Sequence, residues 1–336
     1  MKRAKRLLPA IEDIDNLHLA FWKASKGKRY ARSVLAYQAE LTDNLLRLQQ
    51  EIRSGKVIVG DYRYFLVFEP KRREICASAF REQVLHHALM NVCHPYFDQF
   101  QIYDSYASRK GKGTYTCLDR ARKFTFQNEW YLKLDVRQFF ASVHHAVLKQ
   151  QLYQRFKEER LNSILYQIID SFEASPGRGL PIGNLTSQYF ANHYLAKLDH
   201  YIKEELDCKT YVRYMDDMIC WSNNKAALKE YKTAIVSYIR EELQMELKPA
   251  QLNRTKNGLP FLGYRLFPYQ VRLLQKSKQR FIQKNSMIYE NWQRGNWTDE
   301  QCQAKLLPLV AFVDYADTKR FKQKVFEKQT EKGQSS

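Results

Sequence analysis

Apolar residues recur at helical spacing through residues 15–55, where Leu17, Phe21 and Trp22 lead into Val34, Leu35, Leu41, Leu45 and Leu48, so the chain opens on helices. A basic stretch, 23–32, interrupts them, either as a phosphate contact or as a solvated connector. The period then changes. Residues 57–68 alternate and are rich in β-branched and aromatic side chains, which predicts strands; a basic turn at 70–75 and a further short strand follow. A helix opens at 79–82 and carries His86 and His87, neighbours that do not share a helix face and are expected to pack rather than to ligate metal. Residues 130–136 read as a buried strand containing Asp135, with helical periodicity from there to Ile169. An irregular loop at 175–183 precedes a helix over 184–200. Residues 209–213 and 218–221 read as two short strands joined by Tyr214-Met215-Asp216-Asp217. A helix over 224–244, a strand pair over 260–267, and basic helices from 274 to a charged, frayed end at 319–332 complete the pattern. No internal repeat or long linker divides it.

Composition narrows the partners. At 336 residues there is room for two or three subdomains around a sizeable core. Lys and Arg number 55 against 36 acidic residues, a net charge of +19 that favours a polyanionic partner, most often nucleic acid. Six scattered cysteines with no Cys-x-x-Cys pair fit free thiols in a reducing compartment rather than a disulfide framework or zinc site. The basic start lacks the apolar core of a secretory signal, and no apolar run approaches membrane-spanning length. A soluble, cytoplasmic protein with no membrane partner is expected.

The candidate chemistry sits at Asp216-Asp217. Two adjacent carboxylates on a hairpin repel each other, and a divalent cation such as magnesium relieves that repulsion; an exposed acidic turn is the plain alternative. Asp135 decides between them, because it interrupts an apolar strand. If its strand neighbours the hairpin, three carboxylates converge at one sheet edge, as two-metal phosphoryl transfer requires. The loop 103–115 is rich in Gly, Lys and aromatics but its 109–113 segment lacks a full Walker A pattern, which leaves contact with a nucleic-acid backbone as its reading.

Residues 134–140, 179–188, 214–217 and 261–264 resemble, in this order, motifs A, B and C and the primer grip of reverse transcriptases. More narrowly, 70–75, 80–87, 104–113 and the Ile182-Gly-Asn-Leu-Thr-Ser-Gln188 run resemble the reverse transcriptases of diversity-generating retroelements. The resemblance implies an α+β right-hand polymerase fold: fingers over 1–112, palm over 113–143, fingers and connecting helices over 144–180, palm with an antiparallel sheet over 181–266, and a helical thumb over 267–336. It leaves no room past 267 for a nuclease, integrase or protease module.

The same resemblance implies an RNA-directed DNA polymerase that copies a template-repeat RNA and errs opposite template adenines. Two Mg2+ ions would be held by Asp135, Asp216 and the Val136 carbonyl, with Asp217 supporting. Phe140 matches the steric gate against a 2′-hydroxyl. Arg73, with Lys71 nearby, matches the cover of the incoming triphosphate, a task suited to a planar guanidinium. Ile182 stands where retroviral enzymes carry Gln and cannot hydrogen-bond the nucleotide, while Gln188 closes the motif in the nucleotide or template region. Tyr214 and Met215 would flank the primer end, and Phe261, Leu262, Gly263 and Tyr264 would form the grip. The implied partners are template RNA and its RNA/DNA hybrid, deoxynucleoside triphosphates, and a small basic oligomeric accessory protein. Neither Lys248 nor Lys256 has the spacing that would identify a general acid. A retron or phage-defence reverse transcriptase, and an RNA-binding scaffold without catalysis, are the alternative readings.

Overall fold

A computed structural model describes residues 4–68 and 72–334. The chain starts with α1 (Leu8–Ile11), α2 (Ile14–Ser25), α3 (Arg32–Ala39) and α4 (Leu41–Ser54), then the hairpin β1 (Tyr62–Val67) and β2 (Arg73–Ser78). Helices α5 (Phe80–Asp98) and α6 (Thr114–Gln127) precede β3 (Trp130–Asp135), which leads into α7 (Phe139–Ser142), α8 (His145–Arg155), α9 (Glu159–Asp170) and α10 (Leu185–His200). The second half holds β4 (Tyr211–Tyr214), β5 (Asp217–Ser222), α11 (Lys225–Glu241), β6 (Gln251–Arg254), β7 (Leu259–Phe261), β8 (Tyr264–Leu266) and β9 (Val271–Leu273). It closes with α12 (Gln275–Gln293), α13 (Asp299–Asp314) and α14 (Lys319–Gln334).

Local chemistry explains several boundaries. Asp13 caps α2 by accepting from the backbone N–H groups of Asp15 and Asn16. Thr298 and Gln301 form a reciprocal capping box at the start of α13. Gly55, at φ 70°, ends α4 in the left-handed conformation that an L side chain resists.

The architecture is α+β, with helices packed against separate antiparallel sheets. The central sheet runs β4-β5-β3-β6, and β7-β8-β9 form a second. Strand alternation splits the central sheet between two cores. Leu132, Leu134, Met218 and Cys220 pack with the helices from α1 to α11 other than α6, while Tyr131, Ile219 and Trp221 pack with α6, the second sheet and the C-terminal helices. Both layers sit on one sheet, so displacing a strand disturbs both. Among the described residues no helix is long and apolar enough to cross a membrane.

Five elements differ from the sequence pattern. Only Tyr62–Val67 of 57–68 forms a strand, because the chain before it is held by side chains of helices: Gln167 accepts from Val57 N–H at 3.1 Å and Glu82 from Gly60 N–H at 3.0 Å. Strand β6 has a single apolar residue, Leu252, and gives no alternating signal. The expected strand pair gains a third member, β9. At the C-terminus a helix replaces the expected frayed end, with Phe321 and Phe326 packed on Phe281 at ring distances of 5.7 and 6.2 Å. Helix α11 is also shorter than 224–244: after Glu241 the chain turns back so that Met245 N–H bonds Ile239 O at 3.0 Å.

The β7–β8 turn fastens the C-terminal helices to the sheets. Leu262 and Gly263 both have positive φ, 46° and 91°, the conformation of a tight type I′ hairpin. Gly263 O accepts from Ser277 Oγ at 2.7 Å and Leu274 N–H at 3.1 Å, and the Tyr264 hydroxyl donates to Phe312 O at 2.6 Å. A Cβ on Gly263 would lie 2.9 Å from Phe312 Cζ. Gly263→Ala is therefore expected to lower unfolding free energy by about 1–3 kcal/mol, combining backbone strain with a clash. Denaturant unfolding checks it, with Gly27→Ala, at positive φ but in open space, expected to lose less.

Candidate active site

Asp135 ends β3, and antiparallel pairing sets it directly opposite Asp217, the first residue of β5. Like charges facing each other across a ladder are destabilising, so this register needs compensation. Two lysines supply it. Lys248 Nζ donates to Asp135 Oδ1 at 2.6 Å. Lys133, two residues before Asp135 and so on the same sheet face, brings Nζ within 3.0 Å of Asp217 Oδ1. That second contact lacks hydrogen-bond geometry, leaving this buried carboxylate oxygen without a hydrogen bond. Lys133 Nζ also donates to Pro260 O at 3.1 Å, which ties the acidic edge to the β7–β8 hairpin.

Asp216 lies in the two-residue turn between β4 and β5. Burial, reinforced by the negative charges of Asp135 and Asp217, pushes its carboxyl up to about 6, against the lowering effects of its own backbone N–H and of Lys248. Met215, the other turn residue, has φ 53°, a conformation rare outside glycine. Strain of this kind persists where surrounding contacts impose it. Val136 is buried and bridged to Leu247, and the Asp135 carbonyl accepts Lys248 N–H at 2.8 Å, so residues 246–248 form a strap beside the acidic edge.

Among the described residues no three His, Cys, Asp or Glu side chains are grouped to hold a metal between them alone. The donor set present is smaller: paired carboxylates with adjoining carbonyls, one carboxyl group raised chiefly by burial and one oxygen lacking a hydrogen bond. That set fits magnesium, which takes one or two carboxylates and completes its shell from water and substrate phosphates.

The remaining sequence-predicted residues surround this edge in part. Phe140 is half-buried in α7, its ring 5.6 Å from Phe139, and its carbonyl accepts Leu180 N–H at 2.8 Å. That bond brings the 179–184 loop beside α7. The loop is also held by β2: Cys76 N–H donates to Ile182 O at 2.8 Å, and a Cβ on Gly183 would meet Ile75 Cγ2 at 2.9 Å. Phe140, Ile182 and the Arg73 strand thus form one connected surface, with Arg73 exposed at the start of β2. Lys71 lies outside the described residues. Gln188 is half-buried and accepts from Ser108 Oγ at 3.4 Å, so it faces the 104–113 loop. The Tyr214 hydroxyl bonds Thr114 at the start of α6 at 3.1 Å. Phe261 and Tyr264 are buried supports, leaving the Leu262-Gly263 turn between the acidic edge and α12.

Sequence reasoning missed the roles of Lys133, Arg213 and Lys248 around the carboxylates. The period-2 rule would have found Lys133. Arg213 is fully buried under the hairpin and gave only the signal of a charge in an apolar strand.

A family model described as reverse transcriptase (RNA-dependent DNA polymerase) matches residues 70–266, more than half of the chain. The chain belongs to the reverse transcriptase family. It is similar to protein YkfC of Escherichia coli strain K12, 22% identical over 291 residues covering 70% of this chain and 74% of that one. The retron Ec73 reverse transcriptase of Escherichia coli is 29% identical over 113 residues, 31% of this chain and 35% of that enzyme. The putative COX1/OXI3 intron 2 protein of Saccharomyces cerevisiae is 20% identical over 270 residues, 61% of this chain. The chain spans 31% of that yeast protein's length. Apo telomerase from Candida tropicalis superposes with a TM-score of 0.53 at 13% identity, over 68% of this chain and 49% of that one. The fold is accordingly that of a right-hand polymerase.

Asp216 keeps its proton to about pH 6 in the fold, against an ordinary value of 3.8. Its ionisation therefore removes stability as pH rises through the interval between those values. Asp216→Asn abolishes that loss. The melting temperature of the variant minus that of the parent is expected to grow more positive from about pH 4 to pH 6 and then level off, as read by thermal unfolding in metal-free buffer.

Proposed function

We propose that this chain is an RNA-directed DNA polymerase of the type found in diversity-generating retroelements, making cDNA from a template-repeat RNA. The observation that carries the polymerase reading is the register that sets Asp135 opposite Asp217, with the raised Asp216 carboxyl at the adjoining turn. Asp135, Asp216 and the Val136 carbonyl would hold two magnesium ions, and Asp217 with Lys133 would keep the edge in shape. Bound there, magnesium would activate the primer 3′-hydroxyl and neutralise the leaving pyrophosphate.

The chain's own residues do the rest. Phe140 sits under the sugar and excludes a 2′-hydroxyl. Arg73 covers the triphosphate from the start of β2, with Lys71 assisting, and the β1–β2 hairpin with the N-terminal helices constitutes the fingers. The Leu262-Gly263 turn holds the primer against the sheet, and α12–α14 act as the thumb. Gln188 supports the nucleotide or template side of the site, and Tyr214 and Met215 border the primer end. The excess of basic residues suits an RNA template and RNA/DNA hybrid, and a small basic oligomeric protein would assist on the same RNA.

The retroelement reading rests on the sequences of the Ile182–Gln188 run and of residues 70–75. An aliphatic side chain at 182 cannot hydrogen-bond the nucleotide, so pairing geometry is enforced less tightly and adenine is miscopied. A retron-type reverse transcriptase is the second reading, favoured by the 29% identity to the retron Ec73 enzyme.

Primer extension on an RNA template with magnesium tests the activity. The parent is expected to extend, and Asp216→Ala to lose about 10³-fold or more of the rate. A parent that binds template RNA but makes no product, with its RNA and accessory protein supplied, would be a scaffold. Sequencing the cDNA separates the two enzyme readings: errors should concentrate opposite adenine and diminish in Ile182→Gln, whereas a uniform error spectrum supports the retron type.

A further inference from the structure

Arg213 stands in the middle of β4 and is fully buried, as is its partner Asp199 on α10. Strand alternation directs it to the sheet face opposite Tyr214 and Asp217, so it runs beneath the acidic hairpin. Every N–H of its guanidinium has an acceptor. Nε donates to Asp199 Oδ1 and Oδ2 at 2.8 and 2.9 Å, and Nη2 to Asp199 Oδ2 at 2.6 Å. Nη2 also meets Gln101 Oε1 at 3.1 Å and Asn192 O at 3.3 Å. Nη1 donates to Asn192 Oδ1 and to Met215 O, each at 3.1 Å.

The Met215 bond is the informative one. Met215 is the turn residue held at φ 53°, and its carbonyl joins it to Asp216. An apolar pair of similar volume is commonly as stable as a buried ion pair, or more so, so stability alone gives Arg213–Asp199 little reason to exist. Geometry does. One planar fork fastens the turn to α10, the helix that begins at the 179–184 loop, and to Gln101 after α5. Building on the polymerase reading above, we propose that Arg213 is the positioning residue of the acidic hairpin: by fixing Met215 O it imposes the turn that aims Asp216, and it registers that turn against α10. A lysine has three donors and no planar fork, so it can keep Asp199 but not the whole arrangement.

The test compares the parent with Arg213→Lys, Arg213→Met, Asp199→Leu and the Arg213→Met/Asp199→Leu double variant. Thermal unfolding, template–primer affinity, and kcat and KM for a deoxynucleotide on one RNA template are measured for each. The single apolar variants leave a buried charge unpaired and should melt lower; the double variant should regain most of the loss. Its kcat should nonetheless stay at least about tenfold below the parent while KM and template–primer affinity change by less than about threefold. Arg213→Lys, which retains the charge pair, should show the same split, and it serves where the double variant does not fold. Recovery of kcat together with melting temperature in the double variant, or a parental kcat in Arg213→Lys, would overturn the proposal by making Arg213 a brace only. A parent without polymerase activity would instead overturn the reading on which it rests.

Discussion

Two aspartates face each other across an antiparallel ladder, and the surroundings of the central sheet are arranged to tolerate them. The Asp135–Asp217 pairing opposes like charges where a sheet ordinarily gains from cross-strand contacts. Lys133 answers Asp217 from the facing strand β3, Lys248 answers Asp135 from the strap just before β6, and Arg213 holds the turn from below. The cations come from separate stretches of the chain. The acidic edge therefore exists only once β3, β4, β5 and the 246–248 strap have met, and it belongs to the assembled sheet rather than to the hairpin.

The two cores follow from that arrangement. Leu132, Leu134 and Met218 commit one sheet face to the helical layer, while Tyr131, Ile219 and Trp221 commit the other to α6 and the C-terminal helices. A sheet buried on both sides has little freedom to twist or slip, which suits a site whose carboxylates must keep their spacing. Lys133 extends this rigidity outward, since the ammonium that meets Asp217 also meets Pro260 O at the root of the β7–β8 hairpin.

Much of this could be read from the chain. Asp135 stands out because charge interrupts an apolar strand and Asp216-Asp217 as adjacent carboxylates at a turn, and helices α4 and α9 follow from the spacing of Leu45 and Leu48 and of Ile164, Leu165, Ile168 and Ile169. What escaped the sequence has tertiary causes. Residues 57–61 have a strand-like pattern, but Gln167 and Glu82 take their backbone N–H groups. Gln251–Arg254 is a strand because β3 offers an edge, with no alternation of its own. Lys248 reaches Asp135 through the Val136–Leu247 bridge, a long-range contact that spacing cannot reveal. Arg213 is visible as an anomaly, yet Asp199 and Asn192 become its partners only when α10 packs beneath the hairpin. Lys71 lies outside the described residues.

The bond between Cys76 N–H and Ile182 O runs from backbone to backbone. No replacement of either side chain short of proline at position 76 deletes it. The mechanical link between the β1–β2 hairpin and the 179–184 loop is thus separate from the chemistry that position 182 presents. Exchange of that one side chain can alter the surface the loop presents while the loop stays fastened, so position 182 can vary without rebuilding the scaffold that carries it.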